Sequence, residues 1–207
     1  MSGRARDEVS QAALRRLRVA FPGIAALAGA DAAAIEHAIA GVTHANAKAG
    51  YIVVAPALIA AERPDLDLAF LADMPLADAL AWLERLPGVA RKVSASMLNA
   101  STLRRPVFIV DTHVLRALTR LGFARPQADY RAASKAVTAA MPGWSGDDFL
   151  AFHILMKTLG QTICRWDVPD CPRCPLARIC PTAGRRSATE PPADRAPAPP
   201  RPRDQAG

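Results

Sequence analysis

All four cysteines of the chain fall between Cys164 and Cys180, separated by six, two and five residues. Disulfides usually join distant parts of exported chains. The N-terminus carries charge but no apolar stretch of the kind a signal peptide needs, so the expected location is cytoplasmic. Four thiols crowded into one short segment are therefore read as metal ligands. Both tetrahedral zinc and an iron–sulfur cluster accept four thiolates. Zinc modules tend to present two close Cys-x2-Cys pairs, and only one, Cys171 and Cys174, exists here. Either group pins a loop that has too little apolar surface to fold alone.

The rest of the chain must supply the body to which that loop is pinned. Half of it (51%) is hydrophobic but only 5% is aromatic, with Leu and Ala dominant. Straight-chain residues and alanine lose little freedom in a helix, so an all-α fold is expected. Apolar residues recurring near helical period predict helices over 7–21, 32–40, 47–62, 75–86, 91–99, 113–121, 130–140 and 147–159. Pro56 predicts a kink or local break in the third of these. Val107-Phe108-Ile109-Val110 is the one strand-like run. It is too short to found a sheet and reads as a buried extended linker. The expected organisation is a helical domain over 1–125, helices and the cysteine segment over 126–180, and a disordered basic tail over 181–207. Seven prolines among the last 27 residues favour that tail.

The net charge is +7, which suits a polyanion such as nucleic acid or an anionic membrane. No apolar stretch approaches the roughly 20 residues that span a bilayer. Leu86-Pro87-Gly88-Val89-Ala90-Arg91-Lys92 is a tight turn between two predicted helices. Such a turn exposes backbone N–H groups at the positive end of the second helix, where a phosphate binds without sequence readout. An ordinary helix-to-helix corner has the same pattern. Asp111 precedes a helix and is placed to cap it. His113 and His153 sit in apolar surroundings and read as structural histidines.

The turn, then Val110-Asp111-Thr112-His113-Val114 with Arg116, then the cysteine spacing, occur in one order. Together they resemble the endonuclease III branch of the helix–hairpin–helix base-excision glycosylases, from about Ser2 to Cys180. The resemblance implies an all-α helix–hairpin–helix glycosylase fold acting as a monomer on double-stranded DNA with a damaged base or abasic site. It makes Lys92 the nucleophile that attacks the sugar C1′ and forms a Schiff base, and Asp111 the carboxylate that assists it. A Lys in the first helical turn meets the positive end of the dipole, which disfavours its ammonium form. Cys164, Cys171, Cys174 and Cys180 would hold a 4Fe–4S cluster. DNA contacts are expected from Gly88, Ala90 and Arg91 of the hairpin, and from Arg4 and His44 as gap-filling residues. Lys48 and Arg165, with Arg104 and Arg105, are further phosphate contacts, although the loop holding Arg165 also carries Asp167 and Asp170.

Three departures from that family accompany the resemblance. Ala90 replaces the hairpin's second glycine, which would strain the turn if positive φ were needed there. One extra residue lies between Lys92 and Asp111, assigned to the 101–105 loop. The leading helices of relatives are not seen before Met1, which suggests a truncated gene model. A monofunctional adenine-mismatch glycosylase and a non-catalytic, metal-stabilised DNA-binding protein are the alternative readings.

Overall fold

A computed structural model of the chain describes residues 7–189. Among these residues there is no strand, and nine α-helices account for the architecture. They are α1 (Asp7–Ala20), α2 (Ala32–Ala38), α3 (Ala45–Glu62), α4 (Leu76–Glu84), α5 (Arg91–Asn99), α6 (Thr112–Arg120), α7 (Tyr130–Ala140), α8 (Gly146–Thr162) and α9 (Pro181–Thr189). Side-chain caps satisfy first-turn N–H groups at the starts of α2, α6, α7 and α8. Asp31 accepts from Ala33, Asp129 from Ala132, and Ser145 forms a capping box with Asp148. Helix α3 runs unbroken through Pro56, whose ring is buried. Packing outweighs the lost N–H there, and the expected break does not occur.

The extended run Val107–Val110 divides two cores. Successive side chains of extended backbone point to opposite sides. Val107 and Ile109 enter a core with Leu83, Leu86, Ala95 and Leu98 of the α4–α5 region. Phe108 and Val110 enter a second with Val114, Leu118, Val137 and Phe149 of α6, α7 and α8. The second core crosses position 125, where the sequence suggested a domain boundary. Backbone polar groups of a buried extended run need partners, and the flanking helices supply them. Thr138 Oγ1 accepts from the Phe108 N–H (3.0 Å) and Ser134 Oγ donates to the Phe108 carbonyl (2.7 Å). His153 Nδ1 lies 2.9 Å from the Ile109 carbonyl. A third core joins α1, α2 and α3 through Ala13, Leu17, Ile35, Ile39 and Ala49.

Helix α9 occupies the first nine residues of the segment expected to be disordered. Thr182 Oγ1 and Cys180 Sγ both donate to the Arg120 carbonyl, and Ala183 is buried. Those anchors to α6 order a stretch whose composition alone argues against it. No helix of the described residues is long and apolar enough to cross a membrane.

Asn99 ties this assembly together. It is fully buried at the end of α5, and its Nδ2 donates to the carbonyls of Arg105 (3.0 Å) and Gly146 (2.7 Å). Asn99→Ala removes both of these buried hydrogen bonds and is expected to lower stability by about 2–3 kcal/mol. A lower urea midpoint with unchanged slope checks this.

Candidate DNA-binding and catalytic site

The hairpin joins α4 to α5. Leu86 and Val89 turn the chain, with the Val89 N–H donating to the Leu86 carbonyl (3.1 Å). Gly88 has φ +76°, the left-handed region that favours glycine. A Cβ there would also lie 2.4 Å from a ring carbon of Tyr51, so the turn and α3 touch through glycine's missing side chain. Ala90 is extended (φ −96°, ψ 176°), and its replacement of glycine costs no strain. The expectation of a strained turn at Ala90 is therefore corrected. The N–H groups of Gly88, Ala90, Arg91 and Lys92 have no hydrogen-bond partner among the described residues. Four unpaired donors at one helix start form an anion-binding nest.

Arg91 does not extend that nest with its side chain. Its Nε donates to Glu84 Oε1 (2.7 Å), and both side chains are almost withdrawn from solvent, 13% and 8% exposed. Ser94 Oγ reaches the same oxygen (2.8 Å), and Arg131 Nη2 of α7 takes the other (2.5 Å). The buried carboxylate would be costly without these donors, which is why Arg91 turns inward rather than toward a ligand. Burial pushes the Glu84 carboxyl up, yet hydrogen bonds from Ser94 and Arg91 with the charges of Arg91 and Arg131 outweigh it and hold the group below its ordinary range. The network locks α4, α5 and α7 around the hairpin.

Lys92 stands half-buried at the second position of α5, and Asp111 is buried at the start of α6. Asp111 Oδ1 accepts from the N–H groups of His113 and Val114, each at 2.9 Å. That double cap fixes the carboxylate's orientation and leaves Oδ2 uncommitted to it. Both bear electrostatically on His153 of α8. Burial pushes its imidazole below the ordinary value. The Ile109 bond and the Asp111 carboxylate pull it up, and Lys157 and Lys92 push it down. One ring on α8 thus feels both the lysine of one core and the aspartate of the other. His113 is close to Arg116, with Nδ1 3.3 Å from Nη2. Gly160 lets α8 pass close to it, since a Cβ there would lie 2.8 Å from the His113 carbonyl oxygen.

None of the four cysteines is in a disulfide, and all of them line one small hollow. Arg120 anchors its wall: Nη1 donates to Cys164 Sγ (3.3 Å) and to the Arg165 carbonyl, and Nη2 donates to the Trp166 carbonyl (2.8 Å). Arg116 Nε holds the Cys164 carbonyl (3.0 Å). Among the described residues no group of three or more His, Cys, Asp or Glu side chains converges closely enough to hold a single metal ion.

A profile of the HhH-GPD superfamily of base excision DNA repair proteins matches residues 1–142. The chain belongs to that superfamily. Endonuclease III of Buchnera aphidicola is 33% identical over 98 residues, covering 47% of this chain and 43% of that protein. Endonuclease III of Bacillus subtilis is 32% identical over 98 residues, with the same shares. These alignments span less than half the length of the relatives. The solved structure of a trapped endonuclease III–DNA covalent intermediate superposes with a TM-score of 0.73 at 24% identity, covering 90% of this chain and 81% of that one. The fold is that of endonuclease III.

The remaining sequence candidates lie in several places. His44 is exposed and left-handed (φ 58°) immediately before α3, with Lys48 one turn later on the same helix. Arg165 is exposed on the cysteine segment. Arg104 pairs with Asp147 at 3.6 Å, at the surface. Arg105 is engaged with the carbonyls of Leu71, Ala72 and Met74, so it braces the chain instead of facing a phosphate. Arg4 lies outside the described residues. Sequence reasoning passed over Glu84 and Tyr51. A lone Glu seven residues before Arg91 was the available signal for the first; the second depends on packing that no local pattern reports.

Glu84→Ala is expected to lower stability by about 3 kcal/mol, because it strands a half-buried Arg91. Since the Glu84 carboxyl is depressed on folding, its contribution is complete above the ordinary carboxylate range and is lost as pH falls through the folded value. Chemical denaturation across the acid range should show a steeper loss for wild type than for Glu84→Gln.

Proposed function

We propose that this chain is a bifunctional DNA glycosylase and AP lyase that acts on duplex DNA carrying a damaged base or an abasic site. The observation that carries this reading is the position of Lys92. It follows directly on the hairpin's unpaired N–H groups, within the electrostatic reach of an imidazole that also feels Asp111. A DNA phosphate on those amides would set the backbone register without sequence preference. The half-buried Lys92 amine then attacks C1′ of the sugar at that register. The bond from C1′ to the base breaks, and the base leaves with the electron pair. The Asp111 carboxylate, held by two backbone N–H groups, offsets positive charge developing on the sugar. Opening of the sugar gives a Schiff base between Lys92 Nζ and C1′. Loss of a C2′ proton then expels the 3′ phosphate and nicks the strand.

His44, Lys48 and Arg165 are proposed as surrounding DNA contacts, with Gly88, Ala90 and Arg91 contributing through backbone. A non-glycine residue at positive φ persists where the surroundings hold it, and such positions concentrate at functional sites. The exposed His44 fits a gap-filling role on that ground. Extruding a base leaves a hole that a flat ring is able to occupy.

Cys164, Cys171, Cys174 and Cys180 would hold a 4Fe–4S cluster. The reading is supported by four free thiols lining one hollow, with a single close Cys-x2-Cys pair where zinc modules tend to present two. The cluster's contribution is structural: it fastens the loop after α8 to α6. Purified protein should contain about four irons per chain, and zinc without iron would contradict the assignment.

Strand incision of an abasic-site duplex tests the reaction. Lys92→Gln should abolish incision while keeping DNA affinity. Asp111→Asn should slow it by about 100-fold or more. Incision by Lys92→Gln at the wild-type rate would overturn the lyase reading.

A further inference from the structure

His153 is a half-buried titratable group that the proposed reaction leaves without a task. It projects from the middle of α8 onto the extended run that divides the two cores. The Ile109 carbonyl only accepts, so the 2.9 Å contact requires a proton on Nδ1. A neutral ring then carries its lone pair on Nε2. That atom has no partner among the described residues, and it is not among the side-chain atoms sealed from solvent without one. The ring also meets Phe108 edge to face, with centroids 6.5 Å apart. Both contacts bear on the two residues before Val110, and Asp111 is the next residue along. Whatever sets Phe108 and Ile109 sets where the Asp111 carboxylate is presented.

We propose that His153 is a positioning residue for Asp111. Its neutral ring clamps the Ile109 carbonyl and so holds the end of the extended run from which the carboxylate projects. The charged groups around it are Asp111 on α6, Lys92 on α5 and Lys157 on α8. An imidazolium in that setting would draw on the Asp111 negative charge needed by the sugar, and burial works against its formation at neutral pH. His153 therefore keeps the carboxylate both placed and unpaired.

This inference rests on Asp111 acting in the reaction, and the first measurement separates the two ideas. Single-turnover incision of an abasic-site duplex is followed in wild type, Asp111→Asn, His153→Ala and the double variant. If Asp111→Asn is as fast as wild type, the reading of the site fails before His153 is in question. If Asp111 acts, His153→Ala should slow incision about tenfold, with affinity for an uncleavable abasic-analogue duplex within about twofold of wild type. In the Asp111→Asn background the same change should cost less than about twofold, because the residue it positions is already disabled. Equal cost in both backgrounds would overturn the proposal.

His153→Gln keeps an amide donor for Ile109 and covers the case in which the alanine variant does not fold. It should recover most of the neutral-pH rate. The ratio of wild-type to His153→Gln rates cancels the titration of Lys92. Because burial holds the imidazole below its ordinary value of about 6.5, that ratio should stay flat near that pH and decline only further into the acid range, where only wild type is able to form an imidazolium. A ratio that stays flat across that range would also overturn it.

Discussion

Four buried residues in extended conformation, Val107 to Val110, are the constraint on which the rest of the structure depends. Their alternating side chains belong to two different cores, so neither core closes without them. The α4–α5 hairpin packs on one side and α6 with α8 on the other. The site is assembled where that wall ends. Lys92 comes from the first side and Asp111 from the last step of the wall. An all-helical protein thus depends on a short non-helical run to bring Asp111 to the start of α6. The run is tolerated because Thr138, Ser134 and His153 meet backbone groups that a sheet would otherwise have paired.

The basic character of the chain means something different once the arginines are placed. A net charge of +7 suggests a broad attraction for a polyanion. Several of the arginines nearest the site nevertheless serve the protein itself. Arg91 neutralises Glu84, Arg105 gathers three carbonyls, and Arg116 and Arg120 fasten the Cys164 segment. The planar guanidinium suits this bracing because several fixed donors are satisfied at once. What remains for DNA at the hairpin is mainly backbone N–H, directional and permanently placed.

Much of the fold was legible in the sequence, and the reasons are local. Helices announced themselves by period, and Asp111 by its capping chemistry. Gly88 was legible as the turn residue because only glycine takes its φ readily. Strain at Ala90 depended on a positive φ that residue identity does not report, and the extended backbone there leaves it unstrained. The inward turn of the Arg91 and Arg105 side chains was not legible because their partners lie in other elements. The order in 181–189 was missed for the same reason: Thr182 and Cys180 find their acceptor on α6. Local chemistry is written in the sequence, while the destination of a long side chain is decided by packing.

The account turns on one atom, the Nζ of Lys92. The chain has four lysines, Lys48, Lys92, Lys135 and Lys157, so a covalent adduct can be assigned by residue. Borohydride reduction during reaction with abasic-site DNA, followed by proteolysis and mass spectrometry of the crosslinked peptide, reads that assignment directly. The adduct is predicted on the peptide that contains Lys92, with the modified mass at that residue. An adduct on Lys48, Lys135 or Lys157, or no adduct under conditions in which the strand is cut, would contradict it.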